Sequence, residues 1–212
     1  MPKQTFLNLS EEKRKAFTEI ALDEFANNDY NTASVSKIVE KAGIAKGSVY
    51  QYFEDKQELF MYLLDVSNQE MLNHIRQSPP PDPSAGFFET LRWQMSATVQ
   101  AAVLFPVHSK LARRAYTSPL PFRDAVFEKA KKVREEYFQG MIAQAQAAGQ
   151  LDPRLDPAFV SFMVLGLMND LGPFLQSKFA QHEGDWLGST EVNDIFDQVI
   201  EALKNGLKNR ST

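Results

Sequence analysis

Apolar residues recur every three to four positions along almost the whole 212-residue chain, and no segment alternates convincingly with a period of two. The first spacing stacks side chains on one face of a helix, whereas the second would line one face of a strand. The chain is therefore expected to be all-α. Start and stop signals divide it into segments. Ser10 precedes Glu11 and Glu12, a hydroxyl cap followed by acids that a helix dipole favours, and Phe17, Ile20, Ala21 and Phe25 then mark one stripe. "NNDY" at 27–30 closes that helix. Ser34 caps a short second helix with Val35, Ile38 and Val39 facing inward, and Ala42-Gly43 ends it. A third short helix is expected over 46–53. Asp55 with Glu58 three residues on reads as a capping box opening a fourth, whose Leu59, Phe60, Leu63, Leu64, Met71 and Ile75 hold one apolar face.

"SPPPDP" at 78–83 stops that helix, because proline lacks an N–H and clashes with the preceding turn. Further helices are expected over 84–105, 108–116, 121–148, 156–180 and 190–208. The expected organisation is a small N-terminal unit, 1–56, followed by a larger helical unit, 57–212, with the fourth helix passing from one to the other. No apolar run approaches the ~18 residues of a membrane span, and the N-terminus has no apolar signal region. The chain has no cysteine, which excludes disulfides, thiol nucleophiles and cysteine-held zinc and suits a reducing cytoplasm. His74, His108 and His182 stand far apart and are expected at surfaces or helix ends rather than around a metal.

The stretch with most chemistry is "AGIAKGSVYQYFEDKQELF", 42–60. Two short helices joined by "AGIA" have helix-turn-helix spacing over about 34–53. On the second of them Val49 and Phe53 share one face and turn to the core. Lys46, Gly47, Ser48, Tyr50 and Gln51 turn away and offer a cation, a bare backbone, a hydroxyl, a phenol and an amide. Such groups suit a DNA groove: the cation and hydroxyls bond phosphates, and glutamine can pair with adenine. Lys56 stands in the first turn of the next helix, where free N–H groups also favour phosphate. Tyr52 lies about 200° around the helix from Tyr50 and cannot serve the same surface equally. The net charge of −4 speaks weakly against DNA, but residues 1–53 carry seven basic and seven acidic side chains, so the excess acid lies elsewhere. Spacing alone leaves two readings open, a DNA reader or a helical protein-interaction module.

Residues 10–60 resemble the DNA-binding domain of TetR-family transcriptional regulators. The likeness rests on "AGIAKGSVYQYFEDKQELF" together with the preceding "FTEIALDEFANNDYNTASVSKIVEKAG". The resemblance implies an all-α chain: an N-terminal three-helix DNA-binding domain with a helix-turn-helix, then a larger helical ligand-binding and dimerisation domain. It places Ser34, Lys46, Gly47, Ser48, Tyr50, Tyr52 and Lys56 at DNA-contact positions, with Gln51 at a variable position that helps set operator sequence. Two positions depart from the pattern: Asp29 stands where glycine is usual, and Ala33 where a hydroxyl residue is usual, leaving Ser34 to supply the cap.

The segment 156–180 is apolar nearly all round, and 190–208 carries Val192, Ile195, Phe196, Val199, Leu203 and Leu207 in one stripe. That stripe could be plain core. The resemblance implies a homodimer held by these two helices, and Phe159, Met163, Gly166, Leu167, Ile195, Phe196, Val199 and Leu203 are the expected interface. Pro173 is expected to kink the first of them. The resemblance also implies an effector cavity, and the composition suits a small apolar or aromatic ligand. Trp93, Val99, Val103, Tyr116, Phe127, Tyr137, Met141 and Phe162 are candidates to line it, although singly each also serves as core. Asn169 and Asp170 could orient the ligand or bond across the dimer. No catalytic motif, phosphate loop or metal-ligand spacing is present, and acid pairs such as Asp23/Glu24 and Glu135/Glu136 read as solvated. The expected function is a non-enzymatic, cytoplasmic regulator without cofactor or membrane partner. It would be a ligand-responsive repressor bound as a homodimer to a palindromic double-stranded operator.

Overall fold

A computed structural model describes residues 1–82, 84–181 and 186–207, with the side chains of 129–136 outside the description. His182 and the Glu135/Glu136 side chains therefore lie outside the described residues. Among the described residues the chain forms α1 (Gln4–Leu7), α2 (Glu11–Asn27), α3 (Val35–Lys41), α4 (Lys46–Tyr52), α5 (Lys56–Gln77), α6 (Phe87–Leu104), α7 (Pro106–Thr117), α8 (Arg123–Ala147), α9 (Pro157–Lys178) and α10 (Thr190–Leu207). The caps follow the sequence signals. Ser10 Oγ accepts the Lys13 N–H and Ser34 Oγ that of Lys37. Asp55 accepts from the Glu58 N–H at 2.7 Å, while Glu58 reaches back one residue further than a capping box requires, to the Glu54 N–H at 2.6 Å. Gly43 takes φ +65°, the left-handed turn between α3 and α4 that a side chain would strain.

The chain forms two compact units. Unit 1 holds Met1–Leu72 and Phe105–Phe127; unit 2 holds Asn73–Leu104 and the residues from Glu128 onward. Unit 1 is thus larger than the 1–56 segment that carries the helix-turn-helix. The reason is packing: α7 lies against α2, and Leu111, Ala115, Leu120, Phe122 and Val126 complete the same apolar core as Phe25, Ile38 and Phe60. Helix α1 was not expected. Four residues are too few to show a helical period, yet Phe6 is wholly buried against Phe17, Tyr52, Phe53 and Tyr62, with ring centroids 5.0–5.8 Å away.

The expectation that Asp23/Glu24 is solvated fails for one member. Asp23 is exposed, beside Lys41, but neighbours on a helix point about 100° apart, and Glu24 turns inward to 4% exposure. Its carboxylate accepts the Ser34 N–H at 2.9 Å, so a buried charge holds the start of α3.

In unit 2, α6 packs on α9 and α10. Helix α9 is long and apolar enough to cross a membrane by length and composition alone, although Asn169 and Asp170 interrupt its apolar run. Its two sides differ. Val160, Ser161, Val164, Leu171, Gly172 and Leu175 are buried in unit 2. Phe159, Phe162, Leu167 and Phe174 are exposed, Phe162 by 73%. Pro173 sits inside the helix, which continues to Lys178.

Candidate nucleic-acid interface

Helix α4 has seven residues, too short to persist alone, so its orientation is set by what it packs against. Val49 within it and Phe53 at its end are buried at 2% and 0% exposure and pin one face to the unit 1 core. The other face carries Lys46, Gly47, Tyr50 and Gln51, all exposed. No hydrogen bond or ion pair to another described residue engages the side chains of Lys46, Tyr50 and Gln51. Among the described residues nothing lies within 4 Å of the place a Gly47 side chain would occupy, so a partner can approach that backbone closely. Ser48 is half-buried beside this face.

The two tyrosines separate as their helical angle requires. Tyr50 is 49% exposed, whereas Tyr52 is half-buried with its ring 5.6 Å from Phe6 and 6.0 Å from Phe17. Ser34 is committed to the α3 cap through its hydroxyl and to Glu24 through its N–H. Lys56 is also committed. Its ammonium stands 4.7 Å from the centre of the Tyr30 ring and donates to the Asn31 carbonyl at 3.4 Å. Burial lowers its pKa from the usual lysine value, opposed by the charge of Glu24. Burial, and secondarily the charge of Asp55, raises that of the Tyr30 phenol. The Asp55 carboxylate already occupies one of the first-turn N–H groups of α5.

Asp29, where glycine was expected, pairs with Arg114 of α7, whose Nε also donates to the Ala26 carbonyl at 2.9 Å. The departure at this position is thus tied to a cation from a distant helix. No sequence signal pointed to it, because the partner lies 85 residues away.

The residues expected to line an effector cavity are divided between the two units. Tyr116 and Phe127 belong to unit 1 and pack edge to face at 5.7 Å. Trp93, Val99, Val103, Tyr137 and Met141 belong to unit 2. Val99 is buried there, as are the Trp93 Nε1 and Gln94 Oε1 atoms, which have no hydrogen-bond partner among the described residues. Gln94, which sequence reasoning missed, also donates to the Tyr137 hydroxyl at 2.6 Å. Phe162, Asn169 and Asp170 are exposed on α9, outside that interior.

The expected interface residues divide as well. Phe159, Gly166 and Leu167 are exposed, and Met163, Ile195, Val199 and Leu203 half-buried. Phe196 is corrected: at 2% exposure it belongs to the protomer's own core, because it shares the inward stripe of Val192 and Ile200. Phe174, unassigned before, joins the exposed set.

Comparison with known proteins places these features in a wider group. Residues 18–63 match the model for "Bacterial regulatory proteins, tetR family". The crystal structure of a TetR family transcriptional regulator from Chloroflexus aurantiacus J-10-FL is similar with a TM-score of 0.81 and 33% identity, over 99% of this chain and 100% of that one. The fatty acid metabolism regulator protein of Bacillus subtilis (strain 168) is 20% identical over 94% of this chain and 99% of its own length. The structure of the transcriptional regulator FadR from Bacillus subtilis, in complex with stearoyl-CoA, has a TM-score of 0.68 and 20% identity, over 91% of this chain and 98% of that one.

Proposed function

The chain belongs to the TetR family of DNA-binding transcriptional regulators, and on that premise we propose that it is a ligand-responsive repressor that binds a palindromic operator as a homodimer. The observation that carries this reading is the uncommitted face of α4, with Lys46, Tyr50 and Gln51 exposed and unpaired on a helix whose other side is locked into the core. Lys46 and the Tyr50 hydroxyl bond phosphates, Gly47 lets the backbone approach, and Gln51 reads a base edge. Ser34, Ser48, Tyr52 and Lys56 flank this face. Ser34 and Lys56 contribute chiefly by holding α3 and the α5 start in place, since their side chains are already engaged.

The dimer is proposed to form on α9 and α10. Helical angles put Phe162, Gly166, Phe159, Asp170, Met163, Phe174 and Leu167 within one arc of about 140°, opposite the buried residues. An arc of that width holding three exposed phenylalanines is what a partner helix pair would cover. Ile195, Val199 and Leu203, half-buried on α10, border the inward stripe and extend the surface. Asp170 then bonds across the dimer rather than to an effector.

The effector is proposed to be apolar, with an acyl chain the leading candidate. The large apolar interior of unit 2 and the fatty-acid regulators among the similar proteins support this. Helix α5 begins beside α4 and ends in unit 2, so a ligand that prefers one tilt of α5 shifts the spacing of two reading helices. Half-sites about 34–36 Å apart tolerate little change, and occupancy falls by population shift.

Selection of bound fragments from a random DNA pool tests the reading. Enrichment of a palindrome, released when long-chain acyl-CoA is added, is the expected outcome. A pool in which no sequence is enriched would leave the helical interaction module as the better account.

A further inference from the structure

The last carbonyls of a helix have no partner within it, and most helices end on a glycine turn or in water. Helix α4 does neither. Phe53 leaves it in extended conformation, φ −132° and ψ 150°, and its N–H satisfies the Val49 carbonyl at 2.8 Å. The remaining three carbonyls are satisfied by one segment from the start of the sequence. Lys3 N–H donates to the Tyr52 carbonyl at 2.8 Å, and Lys3 Nζ to that of Tyr50 at 3.1 Å. The Thr5 hydroxyl donates to that of Gln51. Lys3 Nζ also pairs with Glu54 at 2.7 Å, just beyond the helix. A cation at this end suits the helix dipole. Phe6 anchors the segment, being wholly buried among the aromatic rings beneath α4.

We propose that Lys3 and Thr5 are positioning residues for DNA reading: they hold the C-terminal turn of α4 from outside, and so fix the direction in which Tyr50 and Gln51 are presented to the groove. The two residues whose carbonyls they grip with side chains are the two whose own side chains face outward. A seven-residue helix held along one side by Val49, Phe53 and the half-buried Tyr52 can rock about that contact, and the clamp supplies points of restraint off that axis. Lys3 therefore acts through α4 rather than as a phosphate contact. The inference rests on α4 being the reading helix, and the test separates the two.

The full-length chain is first used to select an operator, which establishes the reading helix's role independently. Affinity is then measured for that operator and for one altered at the base steps that Gln51→Ala ceases to distinguish. Thr5→Val keeps the shape and removes the donor, and Lys3→Met keeps the stem and removes the charge. Thr5→Ser and Lys3→Arg restore donors. Thr5→Val is expected to weaken operator binding about two- to tenfold, the worth of one hydrogen bond, and to narrow the preference over the altered site. Its salt slope should match the native chain, and Thr5→Ser should recover both quantities. Lys3→Met should behave alike, with Lys3→Arg recovering. A thermal unfolding curve for each variant, with binding measured well below the transition, keeps the result from reflecting loss of fold. Two outcomes overturn the proposal. One is native affinity and preference in Thr5→Val. The other is a salt slope about 0.9 shallower in Lys3→Met with Thr5→Val unaffected, which makes Lys3 a phosphate ligand.

Discussion

Replacing Arg114 with methionine should cost unit 1 about 2–3 kcal/mol, and the sum can be built from its bonds. Nε donates at 2.9 Å to the carbonyl of Ala26, a residue with no exposed surface, in the last turn of α2. A hydrogen bond from a charged donor is worth about 1.5–3 kcal/mol, and methionine leaves that acceptor without its partner. The second bond, to Asp29, adds less: the carboxylate side chain is 64% exposed, and such pairs contribute about 0–1 kcal/mol. Methionine keeps most of the apolar stem, so lost packing is small. Asp29→Ala should therefore cost under about 1 kcal/mol, and a double-mutant cycle should show coupling of similar size. Urea unfolding gives the readout, with a midpoint shift of roughly 1 M for Arg114→Met. Trp93 and Trp186 both lie in unit 2, so tryptophan fluorescence follows that unit, and hydrogen exchange in α2 and α7 follows unit 1. The reasoning is refuted if Asp29→Ala costs as much as Arg114→Met, because the exposed ion pair would then outweigh the buried carbonyl.

Other parts of the structure give equally direct expectations. Glu24→Ala strands the Ser34 N–H and should lower unfolding free energy by about 1–3 kcal/mol, whereas Glu24→Gln, which keeps an acceptor, should lose much less; paired denaturation curves decide. His108 is held near Ser67 Oγ at 3.2 Å, and burial lowers its pKa below 6.5, with Glu70 opposing. The unfolded chain then binds the extra proton first, so this contribution is present above about pH 6.5 and is lost as pH falls through the folded value. His108→Gln should flatten that part of the stability–pH curve. Phe162→Glu places a charge on the most exposed phenylalanine of α9 and should shift the chain toward monomer in sedimentation velocity, with unit 2 still folded; an unchanged dimer would move the interface elsewhere.

Most of the fold was legible because helices announce themselves locally. Ser10, Ser34 and Asp55 mark starts by their own side-chain chemistry, Gly43 and the proline cluster mark stops, and the period in between needs no partner to be seen. What escaped was long-range. Helix α1 is shorter than one period, and its reason for existing, the Phe6 socket, is assembled from residues up to 56 positions away. Glu24 looked like half of an exposed acid pair until α3 arrived to supply its N–H. Phe196 and Ile195 are adjacent, and only the tertiary packing decides which one the protomer keeps. At the site, the outward face of α4 was readable from helical angles alone. The carbonyl partners at its end were not, because Lys3 and Thr5 carry no local mark of that use.

Unit 1 also has a consequence for how the protein is made. Its core draws on Leu111, Ala115, Phe122 and Val126, and the Phe122 ring closes on Tyr30 at 4.8 Å and Phe60 at 5.6 Å. A chain leaving the ribosome N-terminus first displays the whole helix-turn-helix sequence long before these residues emerge. Part of unit 2 must be synthesised in between, since 73–104 separate the two pieces of unit 1. Prematurely ended chains that stop before Leu111 thus lack groups that complete the core under α4. The order of the sequence thus ties completion of the core beneath the helix-turn-helix to synthesis of residues some sixty positions beyond it.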